Sequence, residues 1–453
     1  MRRISALIVV FAIFAGCAGP KRLPPVVTEP EGPAGPGRLM PNLLGVGLLE
    51  NELGVEIYAE GPALVLDGHS GRTLLHLNKS GQRLSCERDG DEVVWRQEGH
   101  SGRAKSVVLR PVDSATRVSQ GNFEYRGELM VICAPLGRGL TLVNNVDLES
   151  YLKGVVPWEI GRHPAERLAA MQAQAVAART YTVSHWGARR KRGFDVFASV
   201  MDQVYKGSAD EDEMCNKAVN STAGLVLKEG GREIEAYYSA CCGGTSSNVQ
   251  EVWARGSRPY LASNADGPDR QGQAFCAESK YYHWRESWTV GQLEEVLAKS
   301  LPEYLDWIAE SPARAKWAGP VFSPRDGSSN SHRPGKLWNL EILSRTSSGR
   351  VGNLAISTDA GVYHIKGDRT RWVLAPASGN PFIMRSAMFD LELERDGTRL
   401  VRVATRGKGF GHGIGLCQTG ALERATQGQG FAEILAHYYR GAVLTRLAAG
   451  GTR

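Results

Sequence analysis

The chain has 453 residues, enough for two or three domains, and its 42% hydrophobic and 23% charged residues are those of an ordinary globular protein. A formal charge of +6 is mild for this length, and the densest basic run, Arg189-Arg190-Lys191-Arg192, sits between glycines as a solvated loop. Nothing in this pattern calls for a nucleic-acid partner, and no apolar run reaches membrane-spanning length.

Residues 1–17 read as a targeting segment. Arg2 and Arg3 form a basic start, and an apolar run to Phe14 follows that is too short to span a bilayer. Cys17, after Ala15-Gly16, resembles the acylated cysteine of a bacterial lipoprotein signal peptide. The expectation is an exported chain, lipid-anchored to the membrane and facing the periplasm or cell wall. Residues 18–42 carry seven prolines among glycines and read as an extended tether.

From 43 to 114, short alternating runs at 55–58, 63–66, 92–95 and 106–109 predict a small β-rich domain. Residues 165–186 predict a helix, with Leu168, Met171, Ala175, Ala178 and Thr182 spaced by three and four and Pro164 just ahead. Its alanines allow close packing, so it is expected to be central, with Arg179 placed to hold a carboxylate. Residues 224–238 predict a hairpin around Gly230-Gly231. A helix is predicted over 293–301, and the Pro-, Ser- and Gly-rich stretch within about 300–345 reads as an inserted loop. Strands return at 354–357, 362–365 and 400–404, and helices at 421–426 and 431–439. The fold class is therefore α+β, with mixed strands around a central alanine-rich helix.

Between these last strands and helices lies Gly407-Lys-Gly-Phe-Gly-His412-Gly-Ile-Gly-Leu-Cys-Gln418-Thr-Gly420. Its six glycines permit positive φ and close backbone approach. It lacks the Lys-Ser/Thr pair and the G-x-G-x-x-G of nucleotide loops. Two readings stay open: a polymer-binding cleft presenting His412 and Gln418, or a tight crossing between strand and helix. Beside Cys17 there are seven further cysteines, an odd number that leaves at least one thiol free if all pairing is internal.

Four ordered motifs carry a resemblance. They are Tyr151-Leu-Lys-Gly-Val-Val-Pro-Trp-Glu159 running on to Arg179-Thr-Tyr181, then Asp202-Gln-Val-Tyr205-Lys-Gly207. Tyr238-Ser239-Ala-Cys-Cys242-Gly-Gly-Thr245 follows with Glu251-Val-Trp253, and last the glycine loop through His437-Tyr-Tyr-Arg-Gly441. Over residues 115–446 the chain resembles the SpoIID/LytB family of stage II sporulation protein D and amidase enhancers. The resemblance implies a SpoIID-like catalytic domain and a peptidoglycan lytic transglycosylase acting on glycan strands, or a non-catalytic enhancer of a cell-wall amidase.

It also implies roles. Glu159 aligns with the catalytic acid, and Trp158 and Ile160 are expected to wall it with apolar surface. Glu166, the nearest alternative, falls in the first turn of a helix, where acids are stabilising by default. His412, Gln418, Tyr205, Ser239, Thr245 and Arg179 are assigned to substrate binding. The resemblance requires no cofactor, although some relatives hold zinc near the Gly-Gly-x-Thr turn. Here Tyr238 replaces a common histidine. Zinc on Cys242, Cys276 and His283, and a disulfide from Cys242 or Cys241 to Cys276, both remain open. Partners implied are glycan strands, a cell-wall amidase and, through Cys17, the membrane.

Overall fold

The computed structural model describes residues 43–325, 330–379 and 382–447. The targeting segment, Cys17 and the tether lie outside the described residues. Among the described residues no helix is long and apolar enough to cross a membrane.

The chain opens with strand Leu44–Glu52, which pairs antiparallel with Leu140–Val146, a hundred residues downstream. That pairing lies within a seven-stranded sheet that also contains Glu128–Cys133, Ser106–Pro111, Ala63–Asp67 and Thr73–Leu77. A six-stranded sheet packs beside it, with Gly54–Ala59 and Gln82–Asp89 in its middle. In Gly54–Ala59 the residues Val55, Ile57 and Ala59 are buried and alternate with more exposed ones, so a single face meets the core. The expected separate β domain at 43–114 is not a separate body. Leu109 pairs with Leu129, and Leu44 shares one apolar core with Val176 and Tyr439. Composition cannot reveal this, because sheet pairing is non-local and each strand edge seeks a partner wherever the chain returns.

Helix α1 (Leu148–Glu159) leaves this sheet directly. Asp147 caps it by accepting the Ser150 N–H at 2.9 Å. It stops where Gly161 turns left-handed at φ 91°. Helix α2 (Leu168–His185) is buried without a break from Ala173 to Val183. Its small side chains let α1, α3 (Glu213–Ser221), the strand Leu225–Glu229 and two C-terminal helices approach from all sides. The hairpin at Gly230-Gly231 forms as predicted, with both glycines at positive φ.

After the short helix α4 (Val249–Val252) the chain builds a second apolar core, running from Trp288 to Val403. Helix α5 (Val290–Ala309) opens on a Thr289/Gln292 capping box and buries Leu293, Leu297, Leu301, Tyr304 and Ile308. It is followed by α6 (Pro312–Ala318), a four-stranded sheet and α7 (Arg369–Val373). The segment 300–345 is thus not an inserted loop. Its prolines suggested one, but Pro312 sits in the first turn of α6, where a missing N–H costs nothing. Helices α8 (Gln418–Thr426) and α9 (Phe431–Tyr438) return to the first core.

Candidate active site and thiol cluster

Glu159 is the last residue of α1. Unpaired carbonyls at a helix C-terminus disfavour a negative charge there. Its Oε1 accepts the Val204 N–H at 2.8 Å, and the side chains of Gln418 and Tyr238 also hydrogen-bond the carboxyl. These bonds favour the ionised form. Burial disfavours it more strongly and pushes the pKa up to about 7, although the residue keeps partial exposure. Ile160 is buried as expected of an apolar wall, whereas Trp158 turns outward and is 40% exposed. Glu166 is exposed in a single 3-10 turn before α2.

Behind the carboxyl lies a polar chain. The Tyr238 hydroxyl, whose single proton goes either to the Glu159 carboxylate or to Gln203, lies 2.8 Å from Gln203 Oε1, and Gln203 Nε2 donates to Thr182 and to Tyr151 at 2.8 and 3.2 Å. Gln418 Nε2 donates to Gln174 Oε1 at 3.3 Å. Tyr238 and Val204 are site residues that motif alignment did not single out. Tyr238 was visible only as a departure from the family's histidine, and Val204 acts through its backbone.

The remaining assigned residues scatter. His412 is packed against Trp253 and near the Tyr237 ring, and its Nδ1 accepts the Ile414 N–H at 3.0 Å. Burial lowers its pKa to about 4, so it is a neutral imidazole that braces the glycine loop. It reaches the Glu159 region through the backbone of Tyr238. Ser239 is buried, and its Oγ has no hydrogen-bond partner among the described residues. Thr245 carries the carbonyl that accepts from Arg350 at 2.9 Å. Tyr205 and Arg179 do not reach a surface. The Tyr205 ring is packed between Tyr125 and Tyr151, with its hydroxyl donating to Asn144 at 2.8 Å. Arg179 is fully buried and grips Glu149 with two bonds of 2.9 and 2.6 Å, so it ties α2 to α1 instead of binding substrate.

Beneath the glycine loop, Cys242, Asp266, Cys276 and Cys417 bring four ligand atoms within 4.8 Å of one another, all buried. His283 is exposed on the strand His283–Thr289, paired with Lys408, and does not join them. Asp266 and Cys417 complete the set in its place. All seven described cysteines are free thiols. The Cys242 and Cys276 sulfurs are 3.6 Å apart. A tetrahedral zinc with bonds of about 2.3 Å needs an S···S edge of about 3.8 Å, so the quartet fits a zinc ion in number, chemistry and spacing. The Asp266 carboxylate is oriented by the Tyr438 hydroxyl at 2.7 Å and Arg424 at 3.1 Å, as an outer ligand shell requires. Cys417 is the N-cap of α8, and Gly420 N–H points at its sulfur at 3.4 Å. No spacing rule links four ligands spread from 242 to 417, so the sequence pointed to only two of them.

Residues 137–228, which contain α1, α2 and Glu159, match the family described as stage II sporulation protein (SpoIID). Residues 324–415 match a domain of unknown function, DUF8618, and coincide largely with the second core. The chain is 31% identical over 351 residues to the amidase enhancer of Bacillus subtilis, covering 75% of this chain but only about half (47%) of that protein. An uncharacterized protein of Brachyspira hyodysenteriae is 28% identical over 338 residues, 74% of this chain and 76% of its own. Stage II sporulation protein D of Bacillus amyloliquefaciens is 27% identical over 315 residues, 66% of this chain and 74% of its own. With the motif carrying Glu159, the alanine-rich helix and the glycine loop built into one core, and with these matches running across them, the chain belongs to the SpoIID family.

Proposed function

We propose that this protein is a peptidoglycan lytic transglycosylase that cleaves the bond between N-acetylmuramic acid and N-acetylglucosamine in glycan strands. The observation that carries the reading is the carboxyl of Glu159, partly exposed yet held neutral up to about pH 7. Oε1 accepts the Val204 N–H, and in this reading Oε2 carries the proton. Oε2 protonates the glycosidic oxygen as the bond to C1 breaks. The resulting carboxylate takes the proton of the muramic C6 hydroxyl, whose oxygen closes on C1 and leaves a 1,6-anhydro end. Glycosidases that use water need two carboxylates. Here the sugar supplies its own nucleophile, so one residue serves as acid and then base. Gln418 and Tyr238 hold the carboxyl in one orientation for both steps. Export and anchoring through Cys17, with residues 18–42 as a tether, bring this site to the wall.

Purified protein incubated with peptide-free glycan strands tests the reading. Anhydro-ended products that disappear with Glu159→Gln support it. Glycan binding without products favours a second reading, a non-catalytic enhancer of a cell-wall amidase, which the name of the Bacillus subtilis relative suggests. We also infer that Cys242, Asp266, Cys276 and Cys417 hold a structural zinc that pins the glycine loop.

A further inference from the structure

Next to Glu159 an aromatic platform is left uncovered. Trp158 is 40% exposed and Phe123, on the strand Phe123–Tyr125, is 37% exposed. Between them stands Lys206, its Nζ 4.0 Å from the centre of the Trp158 ring and 5.8 Å from that of Phe123. Lys206 makes no ion pair among the described residues, and its ammonium faces only the two rings.

The three side chains are rigidly related to the acid. Lys206 lies two residues beyond Val204, whose N–H holds Glu159. Its loop is clamped on both sides by glycines. A Cβ on Gly154 of α1 would come within 2.5 Å of the Gly207 carbonyl and 2.6 Å of the Tyr205 ring. Gly207, at φ 77°, leaves no room for a Cβ against the Glu124 carbonyl, and Ser208 N–H donates to that carbonyl at 2.7 Å. Helix α1, the loop and the strand of Phe123 are therefore packed against one another without free space. Such fixed placement is what a binding subsite needs.

We propose that Trp158, Lys206 and Phe123 form a sugar subsite beside Glu159 that selects an acidic amino sugar. Trp158 takes the apolar face of a pyranose, and Lys206 pairs with its carboxylate, which in N-acetylmuramic acid is the lactyl group. Phe123 closes the far side. Trp158 is then a substrate contact, not part of the wall that buries the acid. The inference rests on the glycan-strand reading above for its substrate class, but not on cleavage.

The test uses the full chain carrying Glu159→Gln, so that binding is read without turnover. Peptide-free glycan strands and chitin oligosaccharides of equal length, which lack the carboxylate, are titrated calorimetrically. The parent is expected to prefer the acidic glycan. Adding Lys206→Met is expected to weaken acidic-glycan binding roughly tenfold, to leave chitin binding unchanged and to flatten the salt dependence. Adding Trp158→Ala weakens both ligands. Should Trp158→Ala not fold, Trp158→Thr and Lys206→Met, judged by unchanged melting, carry the test. Unchanged binding in folded variants overturns the subsite, while anhydro products from the unmodified chain would still uphold cleavage. The expected pattern without products from the unmodified chain upholds the subsite and overturns cleavage. No binding to either glycan overturns the subsite, and with no products from the unmodified chain it overturns cleavage as well.

Discussion

Glu159 sits where two requirements pull apart, since a carboxyl poised as an acid near pH 7 is one the folded state does not want ionised. The acid form starts the reaction, so kcat/KM should fall as pH rises through about 7, and Glu159→Gln should lower turnover on the order of a thousandfold. Stability runs by the same linkage. The folded pKa lies above the ordinary 4.5, so the folded state binds more protons than the unfolded state between these values. Stability is then lost from about pH 4.5 to about 7, and the loss persists above. Glu159→Gln should therefore stabilise the protein by roughly 1–3 kcal/mol at pH 8 and by nothing at pH 4, read by thermal melting. A pH-independent gain would mean the carboxyl is not strained. This residue was legible because its motif is contiguous. Tyr205 and Arg179 were not, because a motif reports that a side chain matters without saying whether it faces the cleft or the core.

The glycine loop illustrates the same limit for an element. Gly409, Gly411, Gly413 and Gly415 all have positive φ, and each is crowded at the place a Cβ would occupy. Gly411 lies against Ser239, Gly413 against the Arg350 guanidinium, and Gly415 against the Tyr237 carbonyl. The loop thus packs as a close crossing beneath which His412 is fixed, while Gln418 alone, at the start of α8, reaches the carboxyl. Gly415→Ala should cost more than about 3 kcal/mol, combining left-handed strain with a backbone collision. Gly441→Ala has a similar φ of 80° but open space around it, and should cost about 1 kcal/mol. Equal losses in a melting comparison would show that crowding is not what requires glycine in the loop. Helix α2 was legible in both position and burial, because an unbroken run of small residues leaves little else for it to be.

At the scale of the molecule, two apolar cores meet through the segment that carries the thiols. Cys242 follows the strand Tyr238–Ser239, which pairs with Leu416–Cys417. Asp266 and Cys276 lie on the stretch leading into the second core. A bound zinc would cross-link these pieces, so the purified protein should contain about one zinc per chain. Cobalt substitution should give thiolate charge-transfer absorption, and a chelator should lower the melting temperature. Metal-free protein that melts unchanged on adding zinc would rule the site out. Helix α2, the hairpin and the C-terminal helices follow from local pattern, since periodicity and glycine chemistry act over a few residues, and Glu159 follows from a contiguous motif shared with the family. The merging of residues 43–114 into the main sheets, the second core at 300–345 and the exchange of His283 for Asp266 and Cys417 do not. Each depends on which distant segments share a surface, and burial and pairing across more than a hundred residues are decided only when the whole chain has closed on itself.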